Sequence, residues 1–278
     1  ELIERYKDRW GNSLFGRWAG LSGNKALPWS LDLIERFSDR WEWSSLSGNK
    51  ALPWSIDLIE RYEDRWGWYG WEKLSRNAAL PWSHDLIERF ASKHHRAWDL
   101  GTYEDKDLFE GLSANVALPW SINLIEHYWG RWDWRKLSSN AALPWSVDLI
   151  ERFEYHWGWA ELSRNKALPW SIDLIERYED RWDWSLLSRN EALPWSIDLI
   201  ERFEGRWDWY WLSRNEALPL SIDLIERFED HCLYQDLLIE WLISGNEALL
   251  LPLLRSADIA EIMEHHFPDD ESRTSLIV

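Results

Sequence analysis

One cysteine and one methionine are the sparsest features of this 278-residue sequence. With Cys232 alone, no internal disulfide framework and no paired-cysteine metal site can form. A reducing compartment suits such a chain, and the cytoplasm is the expectation. Long hydrophobic runs are lacking as well. The longest, Ala248–Leu254, is interrupted by Pro252 and falls short of the roughly 18–20 residues of a membrane span. Positive charge is scarce: 31 basic residues stand against 49 acidic ones, a net charge of -18. The resulting field repels nucleic-acid phosphates and anionic lipid surfaces. Neither nucleic acid nor membrane is therefore an expected partner, and a basic protein or peptide is the easier one.

Chemistry-bearing motifs are also missing. There is no glycine-rich phosphate loop, no nucleophile elbow and no His-Glu-x-x-His zinc motif. The adjacent His94 and His95 point about 100° apart on a helix and do not readily share a metal. Glu261 and His265, four apart, could face the same way on a helix, but an ordinary surface histidine is the plainer reading. Cys232 has no evident activating partner. Carboxylates such as Asp173 and Glu176 recur from unit to unit, as a solvated face does, and Asn123 takes the Asp position in one unit. The expectation is a non-catalytic protein with no catalytic residue, no metal and no cofactor.

What the chain has is tryptophan, 26 of them, and repetition. Prolines fall at 28, 53, 81, 119, 144, 169, 194, 219 and 252, mostly 25 residues apart. One unit runs from Pro169 to Leu193 and the next, from Pro194, is nearly identical. A Ser-x-Asn element recurs nine times, the last a degenerate copy at Ser244-Gly245-Asn246. Within the unit, Ile172, Leu174, Ile175, Tyr178 and Trp182 form one apolar stripe at helical spacing. The start of this first helix has two readings: Pro169 in its first turn, or Ser171 as the N-cap. Asp173 and Arg177 are four apart in the favourable order for an ion pair, whereas Glu176 and Asp180 repel. A short second helix is predicted from Trp184 to Ser188, with a turn at Asp183, or at Gly67 and Gly158 in other units. Asn190 is placed to end it in the left-handed conformation that Asn tolerates.

Such a unit cannot stand alone. Ordering 25 residues costs roughly 35–40 kcal/mol, and burying its three tryptophans and aliphatic stripe returns roughly 30–38 kcal/mol. Neighbours must share a core. The predicted fold is an all-α solenoid of αα-hairpin tandem repeats, a continuous and elongated superhelix of about ten units. Residues 1–232 are read as the array. Residues 233–278 are read as a degenerate terminal repeat, acting as a cap, and a frayed tail. The opening Glu1-Leu2-Ile3-Glu4-Arg5-Tyr6 is the middle of a unit, which suggests a trimmed N-terminus and an array that continues upstream.

The Leu-Ser-x-Asn, Pro-Trp-Ser and Trp-Asp-Trp elements, from about residue 1 to 230, resemble short Trp-rich tandem repeats of bacterial and giant-virus proteins. That resemblance implies a repeat type and no activity. More loosely, and at the level of fold alone, the architecture is similar to tetratricopeptide and Sel1-type solenoids.

Departures from the repeat guide the search for function. About six extra residues lie between Trp10 and Leu21, three around Tyr69-Gly70-Trp71, and about thirteen within 93–107. Insertions in solenoids map to loops, often on a binding face, although a tolerated surface loop is the ordinary alternative. Substitutions concentrate on the second helix, in the pair before Leu-Ser and in the residue inside Ser-x-Asn. Strict recurrence marks most tryptophans as core. The exceptions are Trp71 and Trp211, which with Tyr69 and Tyr210 are candidate exposed aromatic contacts. Arg76, Arg164, Arg189 and Arg214 are candidate basic contacts along an acidic body, or else offset its internal repulsion. The preferred function is a protein- or peptide-binding scaffold. The alternatives are a carbohydrate or small-ligand module built on exposed tryptophans, and a structural spacer, which the near-identity of residues 169–218 would suit.

Overall fold

The computed structural model describes residues 3–4, 17–97, 106–219, 224, 227 and 228. Every regular element among them is a helix, and no strand occurs among the described residues. The chain divides into two compact units, Glu1–Pro169 and Trp170–Val278. Each is a stack of short helix pairs, the α-repeat architecture expected from the sequence. The boundary expected at 232/233, the terminal cap and residues 98–105 of the large insertion lie outside the described residues.

The first helices are six residues long, as in Ile56–Arg61, Val147–Arg152 and Ile197–Arg202, except for His84–Ala97, which runs on into the large insertion. Serine, not proline, starts each. Ser55, Ser146 and Ser196 are extended N-caps whose hydroxyls accept the N–H three residues on, at 3.1–3.2 Å. The proline lies outside the helix, two residues before the cap. An acid in the first turn and a base in the last complement the helix dipole.

A six-residue helix leaves most of its carbonyls without an internal partner. Tryptophan supplies the partners. In the first unit Trp66, Trp132 and Trp157 donate Nε1 to the carbonyls of Ile59, Ile125 and Ile150 at 2.9–3.1 Å; in the second, Trp207 serves Ile200 at 3.1 Å. All are buried. The tryptophan after each proline does the same for the Ser-x-Asn turn. Trp82 and Trp145 donate to the carbonyls of Asn77 and Asn140 at 2.9 Å. Indole thus provides a large apolar surface and the one donor a short helix end needs.

The second helices run Trp43–Ser47, Glu63–Ser75, Lys106–Ser113, Trp134–Ser139 and Trp159–Arg164 in the first unit, and Trp184–Ser188 and Trp209–Leu212 in the second. Within a unit each packs on the next. The predicted bounds of Trp184–Ser188 hold. Its terminator works differently from the expectation: no described residue other than Gly67 has positive φ. Asn140 and Asn165 are extended, and their side chains are buried clasps between repeats. Asn49, Asn77, Asn115, Asn140 and Asn165 donate Nδ2 to the carbonyls of Ser22, Ser47, Ser75, Ser113 and Ser138 in the preceding repeat. In the second unit Asn215 reaches Ser188 at 2.9 Å. The same amide's Oδ1 accepts the N–H two residues on, at 2.9 Å for Ala142 and Ala167.

Insertions are absorbed without breaking this clasp. The linked residues are 27 apart in the regular repeats but 30 and 40 apart at Asn77–Ser47 and Asn115–Ser75, as the insertions of three and thirteen residues require. A second link joins regular repeats: the hydroxyls of Ser22, Ser113 and Ser138 accept the N–H of Glu42, Asp133 and Gly158, each 20 residues on. All five serines also donate to their own helices: Ser22, Ser113 and Ser138 to the carbonyl four residues back, and Ser47 and Ser75, which precede the insertions, to the carbonyls of Ser44 and Glu72 three back. The three-residue insertion follows Gly67, whose φ of 59° kinks the Glu63–Ser75 helix.

Charge also runs between repeats. The expected four-apart pair forms at Asp32–Arg36, 3.2 Å. Elsewhere the arginine ending one first helix reaches the glutamate of the preceding one: Arg61 to Glu35, Arg89 to Glu60 and Arg152 to Glu126 in the first unit, Arg202 to Glu176 in the second. The local repulsion of Glu176 and Asp180 is answered in the same way, by Arg202 and by Arg206 at 2.6 Å from Asp180.

Candidate functional site

The residues singled out on the second helix do not form one free surface. Tyr69 is 69% exposed. Trp71 is half-buried and lies edge-on to Phe90 at 5.0 Å. It stands three residues before Leu74, as Trp43 and Trp134 stand before Leu46 and Leu137. Those two pack on the corresponding Tyr62 and Phe153 at 4.6 and 5.1 Å, tilted rather than edge-on. Trp71 is therefore the repeat's own inter-repeat tryptophan, and the insertion lies before it. Arg76 meets Glu72 at 3.3 Å and Glu110 at 3.4 Å. Arg164 is exposed and lends its charge to Glu161.

In the second unit the structure does bring four candidates together. The Arg189 guanidinium lies 3.1 Å over the Trp211 ring, Arg214 lies 3.8 Å over Tyr210, and the two rings meet edge to face at 4.8 Å. These contacts are mutual and link Arg189 to the following helix. The same holds for other variable positions: Lys73 donates to Ser44, Lys136 approaches Glu110 at 3.7 Å, and Arg135 holds Glu161 at 2.6 Å. Burial pushes the Glu161 carboxyl up, but the Arg135 hydrogen bonds outweigh it and hold it below the ordinary carboxylate range. Much second-helix variation is thus matched by variation in the adjoining repeat. In the pairs Lys73–Ser44, Lys136–Glu110 and Arg135–Glu161 the partner of one variable side chain is another.

A different place in the first unit collects departures from the repeat on two facing first helices. The first helices beginning at His84 and Ile122 face each other across a cavity of about 360 Å³. His84, Asp85 and Glu88 line it from one side; Asn123, Leu124, His127 and Tyr128 line it from the other. Three of these break the repeat. His84 replaces the half-buried aliphatic residue found at Ile56, Ile122 and Val147, Asn123 replaces the aspartate, and His127 replaces the arginine. His127 therefore occupies the position from which Arg152 reaches Glu126. Its Nε2 lies 3.8 Å from Glu88 Oε2, and its ring lies edge-on to Tyr128 at 4.5 Å. The Tyr128 hydroxyl donates to the same Glu88 oxygen. Burial, and then the negative Glu88 beside it, push the phenol upward, so it stays a protonated donor.

Next to this cavity sits an aromatic patch. Trp129 is 57% exposed and Tyr155 is 83% exposed, and His156 lies edge-on to Trp129 at 5.7 Å. Comparison of the units position by position marks His84 and His127 on the first helices, and Trp129, Tyr155 and His156 in the turns that follow them. Variation along the second helix does not reveal them.

Among the described residues, no group of three or more His, Cys, Asp or Glu side chains is arranged to hold a metal ion. No described helix is long and apolar enough to cross a membrane. No protein-family model, curated protein or solved structure matches the chain.

Proposed function

We propose that this chain is a non-catalytic repeat scaffold that binds a basic protein or peptide, with the cavity between the helices beginning at His84 and Ile122 as its contact site. One observation carries the reading. The glutamate–arginine ladder that links neighbouring repeats is interrupted at Glu88, where His127 stands in the arginine position and a cavity opens. A net charge of -18 draws a cationic partner towards the chain. The carboxylates and arginines of the ladder stabilise the stack, which leaves little reason to read them as acid/base machinery. The Trp-rich repeats of bacterial and giant-virus proteins are the type we assign these units to, and a reducing cytoplasm is the location that the single cysteine suits.

Titration of the intact protein with arginine-rich and with glutamate-rich peptides of equal length, at low and high ionic strength, tests this reading. Binding of the basic peptide alone, weakening with salt, is the expected result. Equal binding of both peptides, or of neither, would overturn it. A second reading, stacking of a carbohydrate, draws on the exposed Trp129 and Tyr155. It would appear as salt-insensitive quenching of tryptophan fluorescence by a neutral oligosaccharide.

A further inference from the structure

We infer that the cavity beside Glu88 is a receptor for an arginine side chain, whose guanidinium takes the place that the chain's own arginines hold at the other repeat junctions. The inference rests on the peptide-binding reading above and specifies its chemistry.

The argument starts from the repeat register. At the preceding junction Arg89 reaches Glu60, and at the following one Arg152 reaches Glu126. The corresponding pair here is His127 with Glu88, at 3.8 Å. Imidazole is shorter than a guanidinium side chain, presents one N–H towards the carboxylate rather than a fork, and is not a permanent cation. The substitution therefore leaves Glu88 without a guanidinium, its Oε2 holding the Tyr128 hydroxyl and its side chain 64% exposed, and shortens the side chain that would span the gap. The cavity of about 360 Å³ lies at this position, within the range of about 300–1,000 Å³ typical of small-ligand sites.

The lining suits a planar cation. Asp85 and Glu88 supply carboxylates, Asn123 an amide oxygen, and Leu124 and Tyr128 apolar surface for the alkyl stem. The nearby cations are engaged elsewhere: Arg89 pairs with Glu60, and Arg131 lies over the Phe109 ring at 4.3 Å. The exposed Trp129, which follows the lining residue Tyr128 in the chain, offers a face on which a further basic residue of the partner can stack. A carboxylate or phosphate ligand would meet Asp85 and Glu88 instead, which sets the sign of the preference.

The test uses the full chain and a blocked octapeptide of alternating glycine and arginine. Two analogues carry citrulline, a neutral isostere, or lysine in place of arginine. The citrulline peptide is expected to bind at least tenfold more weakly and the lysine peptide to fall between, because a point charge lacks the bidentate geometry. The decisive variant is His127→Arg, which restores the repeat's own residue. It is expected to fold with an equal or higher melting temperature and to bind the arginine peptide at least tenfold more weakly, having filled the cavity itself. Glu88→Gln, which keeps the side-chain shape, is expected to weaken binding to a similar extent. If the arginine peptide binds His127→Arg and Glu88→Gln as it binds the wild type, the cavity is not the receptor, while peptide binding by the scaffold stands. If the wild type binds none of the peptides, both readings fall.

Discussion

Asn140 gives the sharpest test of how the repeats hold together. Its side chain is 4% exposed. Nδ2 donates to the Ser113 carbonyl at 2.9 Å and approaches that of Asn115 at 3.4 Å, while Oδ1 accepts the Ala142 N–H at 2.9 Å. Asn140→Ala strips both partners. Ala142 is exposed, so water can take over its N–H. Ser113 is 0% exposed, and its carbonyl loses this partner without replacement by solvent. A buried polar group left unpaired costs about 1–3 kcal/mol, which places the expected loss near the top of that range, at about 2–3 kcal/mol. Because each repeat is stabilised by its neighbours, the loss should fall on one interface and broaden the unfolding transition. Urea denaturation followed by tryptophan fluorescence measures both the midpoint and the slope. Asn140→Asp adds a sign test. It keeps the acceptor but sets a carboxylate against the Ser113 carbonyl, raising its folded-state pKa. Stability is then retained below the unfolded carboxylate pKa and lost as pH rises, so its deficit should grow from acid to neutral pH. The alanine deficit should stay flat. An Asn140→Ala protein within about 0.5 kcal/mol of wild type, as for an ordinary surface change, would refute the clasp.

Two further perturbations probe other links. Glu161 is held below the ordinary carboxylate range by Arg135 despite its burial, so its contribution is present above the unfolded pKa and lost as pH falls through the folded one; the stability difference between wild type and Glu161→Gln should be visible at neutral pH and vanish in strong acid. Gly67 has φ of 59°, so Gly67→Ala should cost about 1 kcal/mol or more, whereas Gly130→Ala, with nothing within 4 Å of the added Cβ and no positive φ, should be neutral or stabilising by about 0.4–1 kcal/mol in the same thermal melt.

The repeat length, the helix pair and the apolar stripe were legible in the sequence because period and recurrence report packing directly. Ser171 was one of two readings for the first helix start, and the structure selects it. The role of the asparagine was not legible. Asn in a Ser-x-Asn turn has a local explanation as a helix stop, and its clasp is formed with a carbonyl 27 residues away. The four-apart ion pair was legible and forms at Asp32–Arg36, but the pairs between repeats have no local signal. Asp173 and Arg177 are neighbours in one helix, but the arginine ladder is built across repeats, as Arg202 to Glu176 illustrates. Trp71 was read as an extra aromatic because the insertion was placed around it. Counting back from Leu74 restores it to the ordinary position, and its edge contact with Phe90 agrees.

These contacts change what the abundance of tryptophan means. Helices of five or six residues expose most of their carbonyls, and a repeat of 25 residues has no room for longer ones. An indole solves the area problem and the hydrogen-bond problem with one side chain, as Trp157 and Trp145 do for Ile150 and Asn140. Most of the 26 tryptophans are therefore accounted for by architecture before any ligand is considered. The same reasoning removes the ladder arginines and much of the second-helix variation, since their partners lie in the adjoining repeat. A ligand site in such an array is best sought where one member of a repeating pair has changed and the other has not. Glu88 retains the repeat's glutamate while His127 has lost the repeat's arginine, and that asymmetry points to the first-helix junction rather than to the more variable second helix.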